Sequence, residues 1–256
     1  MPKLVFIEGV SGVGKTTMVR MLAQELRAAG MRVEAYAEFD FRNPIDFYCT
    51  AYLRQEEYEQ LCGRFGADKL VKYAVRAGDV FLVRYYNEDT SLFEEPLLHE
   101  LAAREFCYHP KQLVSLAEYT AAYRNVWSDF AGRMDDSHDI ILFDGSLLHH
   151  PINDMMRNYG ASAEQAAGHV GALLDTLGNT DWCVFYLKTE DIRSQLTAAR
   201  AERGQAAPTD EQAAFWVRRY ENDMAVLARL GVSHEVLDVS HGGWDAARRR
   251  ILEKLQ

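Results

Sequence analysis

The chain has 256 residues, with 28 Lys and Arg against 38 Asp and Glu, a formal net charge of −10. Apolar residues make up 48% and charged residues 26%, which excludes collagen-like, low-complexity and wholly disordered chains. An acidic surface also argues against nonspecific nucleic-acid binding, which needs clustered Lys and Arg.

Residues 4–7 form a short apolar run, and a glycine-rich turn follows. Val19, Leu22, Ala23 and Leu26 recur at helical spacing, and Gly30 stops that helix. Residues 32–38 alternate, with Val33, Ala35 and Ala37 on one side, and predict a second strand. The stretch 39–138 is too long for a structureless loop in a compact domain. Within it, 52–62 and 69–77 read as helices and 79–86 as a strand or hairpin arm. His109-Pro110 reads as the opening of a longer helix, its buried stripe running through Leu113, Leu116, Thr120, Tyr123, Trp127 and Phe130.

Residues 139–143 (DIILF) are a continuous apolar run ending in Asp144, the pattern of a central parallel strand covered on both faces. Ser162 with Gln165 reads as a capping box, and Gly178 ends that helix. Residues 182–187 read as another buried strand. Thr189 is the expected cap of a helix running to Gly204, and Thr209 with Gln212 a second capping box opening a helix that ends near Gly231. A last strand at 233–239 and a final helix at 244–255 complete the chain. Strands alternating with helices predict an α/β protein with a parallel sheet and right-handed crossovers.

No apolar run approaches the roughly 18 residues of a membrane span. The opening MPKLVFIEGV lacks a signal-peptide pattern. Cys49, Cys62, Cys107 and Cys183 show no CxxC pairing, so a disulfide or zinc framework is not expected. The expected setting is the reducing cytoplasm.

The sharpest signal is Gly9-Val10-Ser11-Gly12-Val13-Gly14-Lys15-Thr16, which fits GxxxxGK[ST] between a strand and an amphipathic helix. Gly9 and Gly14 let the backbone turn where a Cβ would clash. The N–H groups then point inward as an anion nest, and the helix beginning near Lys15 adds its positive end. In that setting Lys15 reaches the β- and γ-phosphates, Thr16 holds Mg²⁺ through its hydroxyl, and Thr17 faces the α-phosphate.

This motif order resembles the P-loop kinases of the nucleoside and nucleotide type, thymidylate kinases in particular. The resemblance is sharp at 4–26, 139–146 and 183–231. It implies a three-layer P-loop fold, with the parallel sheet in the order 2-3-1-4-5. It further implies one kinase domain over 1–256, a mainly helical acceptor-binding insertion at about 41–138, and a lid at about 190–208. By the same resemblance Asp144 ends a Walker B strand and holds Mg²⁺, although Gly145-Ser146 stands where these kinases often carry an arginine. Glu38, with Asp40 second, is the carboxylate beside the acceptor that takes its hydroxyl proton. Arg193, Arg200 and Arg203 match lid arginines, which close over the transferring phosphate.

Further acceptor candidates are His150 and Asn153 after the Walker B strand, and Tyr119 and Arg124, which lie off the apolar stripe of the long helix. Arg42, Arg54, Arg64 and Arg84 scatter through the insertion, most of them expected in solvent. The function implied is Mg²⁺-dependent transfer of the ATP γ-phosphoryl group to a hydroxyl of a small molecule: a nucleoside, a sugar or an antibiotic. A nucleoside monophosphate kinase and a nucleotide-dependent regulatory ATPase are the alternatives. The partner expected is the small-molecule acceptor, with no nucleic acid, no membrane, and homodimer formation left open.

Overall fold

A computed structural model describes residues 1–87, 90–109, 111 and 113–255. In chain order the elements are β1 (Lys3–Gly9), α1 (Lys15–Ala28), β2 (Val33–Tyr36), β3 (Thr50–Arg54), α2 (Gln55–Phe65), α3 (Ala67–Val71), β4 (Ala74–Ala77) and β5 (Val80–Arg84). There follow β6 (Tyr86–Asn87), β7 (Thr90–Ser91), α4 (Leu97–Ala102), α5 (Leu116–Arg133), β8 (Ile140–Asp144) and α6 (His149–Asn158). The chain closes with α7 (Ala163–Leu174), β9 (Trp182–Lys188), α8 (Ile192–Glu202), α9 (Asp210–Leu230), β10 (His234–Asp238) and α10 (Trp244–Leu255).

Five strands pair in parallel in the order β10-β9-β1-β8-β2. Counting only these five, the order is 2-3-1-4-5, as the resemblance implies. The central strands are apolar because they are covered twice. On one face Leu4, Phe6, Phe143 and Tyr186 meet Trp127 of α5, Val170 and Leu173 of α7, and Val226 and Leu227 of α9. The Phe6 ring lies 5.8 Å from Trp127 and 5.3 Å from Phe143. On the other face Val5, Ile7, Leu142, Phe185 and Leu187 meet Met18, Val19, Leu22 and Leu26 of α1 and Ile251 of α10. Parallel strands bring their carboxyl ends to one edge of the sheet. Ligands of open α/β sheets gather there.

The segment between β2 and β8 builds a second, antiparallel sheet in the order β3-β5-β4. It has its own core of Leu53, Leu61, Leu70, Val83, Phe93, Leu97 and Leu101. Several expectations are corrected here. Residues 52–54 belong to β3 and 74–77 to β4, so the helix read over 52–62 is shifted to α2 (Gln55–Phe65) and the helix read over 69–77 is the shorter α3 (Ala67–Val71). Both strands pair with β5, a long-range contact that overrides local propensity. The long helix starts at Leu116, where Ser115 and Glu118 form a capping box; Pro110 lies outside the described residues. Leu113 precedes that helix and is exposed, and the buried stripe is Tyr119, Ala122, Tyr123, Val126 and Trp127. The cap of α8 is Asp191, whose carboxylate accepts from Ser194 N, and not Thr189. The capping boxes at Ser162 and Thr209 are present. No helix among the described residues is long and apolar enough to cross a membrane.

Candidate functional site

β1 ends at Gly9, and residues 10–14 reverse the chain into α1. Gly9 has φ 145°, and a Cβ there would stand 2.5 Å from the Leu187 carbonyl oxygen of β9. Gly14 has φ 96°, and its Cβ would meet the Trp244 ring at 2.7 Å. Both positions therefore demand glycine, for backbone angle and for space. Gly14 is also the N-cap of α1. Among the described residues no side chain caps this helix, and no acid lies in its first turn. Its unbonded N–H groups and positive dipole end are thus left facing the turn, the arrangement that suits an anion. Ser11 and Gly12 are half-buried, Val13 is buried, and Thr17 is exposed beside them.

Lys15 is buried, with its ammonium 3.3 Å from the Val10 carbonyl oxygen and 3.4 Å from His149 Nδ1. The parallel register sets Ile7 beside Asp144, so the carboxylate ending β8 meets the start of α1. Thr16 Oγ1 donates to Asp144 Oδ2 at 2.5 Å, and Glu38 N donates to the same oxygen at 3.1 Å. The other oxygen, Asp144 Oδ1, is buried and has no hydrogen-bond partner among the described residues. A buried carboxylate oxygen without a donor, next to a threonine hydroxyl, suits a hard divalent cation such as Mg²⁺. Among the described residues no three His, Cys, Asp or Glu side chains cluster as a metal site. Mg²⁺ bound through one carboxylate, a hydroxyl and phosphate oxygens needs no such cluster.

Glu8 and Arg219, which the sequence did not single out, brace this edge together with His149, which follows β8 beside His150. Glu8 is fully buried in β1, and its carboxylate accepts from Leu147 N and His149 N, both at 2.9 Å. Burial raises its pKa to about 7, against the lowering effect of those N–H groups. His149 is close to Gly9 in return, Nδ1 lying 2.9 Å from the Gly9 carbonyl oxygen. Its ring stacks on Trp216 of α9 at 5.5 Å and 3°. Burial, then the nearby Lys15 charge, holds the His149 imidazole well below its usual pKa. Arg219 of α9, fully buried, donates to the Leu148 carbonyl oxygen at 2.7 Å and pairs with Asp223 at 3.1 Å. The Tyr186 hydroxyl donates to the second Asp223 oxygen at 2.8 Å. Sequence signals for these residues exist: a lone acid inside the apolar run LVFIEG, and an Arg and Asp four apart on one helix face.

Two hollows open beside the turn. One, of about 200 Å³, is lined by Ser11, Arg157, Arg200, Arg203, Gln212 and Trp216. Three guanidinium groups thus share a space with the turn. Arg200 also donates to Gln212 Oε1 at 2.5 Å, and Arg157 lies 4.2 Å from the Phe215 ring centre. The other, of about 530 Å³, lies between the start of α8 and the end of β10, lined by Thr189, Glu190, Asp191, Gln195, Ser240 and His241 among others. Gln195 Nε2 donates to the Gly12 carbonyl oxygen at 2.9 Å, which ties this hollow to the turn. Arg193 lines neither and is ion-paired with Asp210 at 2.5 Å.

A third hollow, also of about 530 Å³, is lined by Arg20, Ala37, Glu38, Phe39, Asp40, Arg42 and Tyr48. Glu38 and Asp40 therefore face one space, but Asp40 is engaged by Arg42 at 2.8 Å. His150 is buried nearby, its ring 5.9 Å from the Phe39 ring centre. Asn153 accepts from Arg157 Nε at 3.0 Å. Tyr119 does not lie off the apolar stripe: it is fully buried, packed on Phe106 and Tyr123. Arg124 is exposed on α5 and lines none of these three hollows. A further hollow, lined by Phe65, Tyr73, Phe93 and Pro96 among others, lies wholly within the segment between β2 and β8.

Of the four scattered arginines, Arg42, Arg54 and Arg64 are exposed, as expected, and each makes a surface ion pair. Arg42 pairs with Asp40 and Glu34, Arg54 with Glu118, and Arg64 with Glu100. Arg84 is half-buried and donates to the carbonyl oxygens of Phe41, Asn43 and Asp46. No protein-family model matches the chain, and no curated protein matches it.

Proposed function

We propose that the chain is an ATP-dependent phosphotransferase of the P-loop kinase class, passing the γ-phosphoryl group to a hydroxyl of a small molecule in the cytoplasm. The observation that carries this reading is the joint between β1 and β8. There an uncapped helix start, a buried lysine, and a threonine hydroxyl bonded to a carboxylate with one unpartnered oxygen meet at the carboxyl edge of a parallel sheet. Backbone N–H groups of residues 10–16 hold the phosphates, and Lys15 leaves the Val10 carbonyl to reach them. Thr16 and Asp144 would hold Mg²⁺, which neutralises charge on the phosphate oxygens. The base of the nucleotide lies in the hollow at Gln195 and Ser240.

Glu38 is the general base. Its own N–H is fixed to Asp144, so its side chain starts beside the reacting centre. It takes the acceptor's hydroxyl proton as the acceptor oxygen bonds to the γ-phosphorus and the bond to the β-phosphate oxygen breaks, releasing ADP. Arg200 and Arg203 supply guanidinium charge to the transferring group from the smaller hollow. A monophosphate acceptor is less well served, because a dianion needs a cluster of arginines to neutralise it, and among the described residues the hollow beside Glu38 is lined by the arginines Arg20 and Arg42 alone, with Arg42 paired to Asp40.

The test is direct. Protein, Mg·ATP and panels of nucleosides, sugars and antibiotics are mixed, and products are read for a mass gain of one phosphate. One acceptor class gaining phosphate, with matching ADP, is the expected result. Slow ADP release that no acceptor accelerates would replace this reading with a regulatory ATPase.

A further inference from the structure

Behind Phe39, the residue after Glu38, two buried side chains face one another without meeting. Asp46 is 5% exposed and His150 6%. Asp46 Oδ2 and His150 Nε2 stand 3.9 Å apart, and neither atom has a hydrogen-bond partner among the described residues. The gap is too long for a direct hydrogen bond, and a buried polar atom left unpaired costs about 1–3 kcal/mol. Their surroundings are otherwise tightly tied. The Tyr108 hydroxyl donates to the His150 carbonyl oxygen at 3.1 Å, and Asn43 Nδ2 donates to Ser146 Oγ at 3.1 Å. Arg84 ties down the backbone at residues 41–46 through three carbonyl oxygens, that of Asp46 among them. Over this pair lies Phe39, 42% exposed and at φ 63°, its ring 4.4 Å from that of Tyr48. A left-handed backbone is costly for such a residue and clusters where ligands are clamped.

An oxygen about 2.8 Å from both atoms closes a triangle on that 3.9 Å base. It would accept from the imidazole N–H and donate to the carboxylate. A hydroxyl does both at one atom, whereas a phosphate oxygen only accepts and meets the Asp46 charge. The neighbouring acids point the same way. Asp154, whose Oδ1 accepts from Tyr108 N at 2.9 Å, keeps an unpartnered buried Oδ2, and so does Asp144 its Oδ1. Arg84 is held by backbone carbonyls, and Arg20 and Arg42 line the outer hollow with their side chains exposed.

We propose that Asp46 and His150 hold one hydroxyl of the acceptor between them, and that this contact restricts the acceptor to polyhydroxyl molecules carrying no phosphate of their own. The proposal rests on the kinase reading and names the acceptor class of that same site. Phe39 is the side chain that must move for the acceptor to enter.

The test uses matched pairs: thymidine and thymidine monophosphate, adenosine and AMP, glucose and glucose 6-phosphate, glucosamine and glucosamine 6-phosphate. Each is offered to the full chain with Mg·ATP, and phosphate gain and thermal shift are both read. Mg·ATP binding is measured separately by calorimetry. The expected result is transfer to the unphosphorylated member of a pair and not to its phosphate. Asp46→Asn and His150→Gln should then raise the KM for that acceptor at least about tenfold, with Mg·ATP affinity within about twofold of wild type. If one variant fails to fold, the other and the wild-type pair preference still decide. Preference for a phosphorylated member overturns the proposal. So does an unchanged KM in the folded variants, which would leave the pair bridging water alone. Mg·ATP binding with no member of any pair either stabilising the protein or taking phosphate also counts against it. No Mg·ATP binding at all would instead remove the kinase reading beneath it.

Discussion

The turn after β1 and the segment between β2 and β8 face the same edge of the sheet but are built differently. In the turn the groups aimed at a ligand are backbone N–H groups and the start of a helix, shaped by Gly9 and Gly14. In the segment they are side chains, Glu38, Asp46 and their neighbours, brought to α6 and β8 by a fold with its own core. A backbone-made site needs glycines and one lysine at fixed spacing, so eight consecutive residues announce it. A side-chain site can be assembled from any positions the fold brings together, and local spacing says little about it. On the kinase reading proposed above, the first would fix the kind of chemistry and the second what it acts on.

The largest effect that sharpens this contrast is expected at Lys15. Lys15→Ala should lower phosphate transfer by about 10³-fold, while circular dichroism and the melting transition stay close to wild type. On the proposed reading the side chain serves the phosphates, and only its ammonium's weak contacts at 3.3 and 3.4 Å are lost. Transfer within tenfold of wild type would break the comparison at its stronger end. In the second region, Glu38→Gln should reduce kcat by about 10²-fold or more and change the acceptor KM little, as loss of a general base does. An equal change in both constants would make Glu38 a binding group instead.

A smaller effect concerns the brace beneath the turn. Glu8 titrates near pH 7 in the fold against 4.5 as a free side chain. The folded state then holds its proton more tightly than the unfolded chain. The stability this group contributes is present below pH 4.5 and is lost as pH rises through about 7. Asp223, raised to about 6 by burial, acts in the same sense over a lower window. Glu8→Gln should remove about 3 kcal/mol of that pH dependence, read as the difference between wild-type and variant stability across pH 4.5 to 7. Parallel stability curves for the two proteins would show that Glu8 ionises freely in the fold.

The same difference explains what could be read before the fold was seen. The strand, turn and helix over residues 3–28 and the apolar runs of β8 and β9 were legible, because a doubly covered parallel strand must be continuously apolar and a phosphate nest must carry glycines. The caps at Ser162 and Thr209 were legible because capping is local. β3 and β4 were not, since each gains its stability by pairing with β5 and not from its own periodicity. Periodicity places Tyr119 one residue out of phase, because Thr120 fits an apolar stripe nearly as well, and only the packing of Phe106 and Tyr123 on the tyrosine decides between them. Among the site residues, Glu38 and Asp144 could be placed from the strand ends they follow. Asp46 and His150 face each other only because β2, the segment after it and α6 converge, and nothing in either neighbourhood marks the other.

The most direct measurement is titration calorimetry of the folded protein with ATP in the presence of magnesium. Saturable one-to-one binding, weakened at least about tenfold by Lys15→Ala and by chelating the magnesium, is predicted. A folded protein that takes up neither this nucleotide nor any other magnesium-loaded triphosphate would contradict the assignment of the turn at Gly9, and with it every role given to the residues around it.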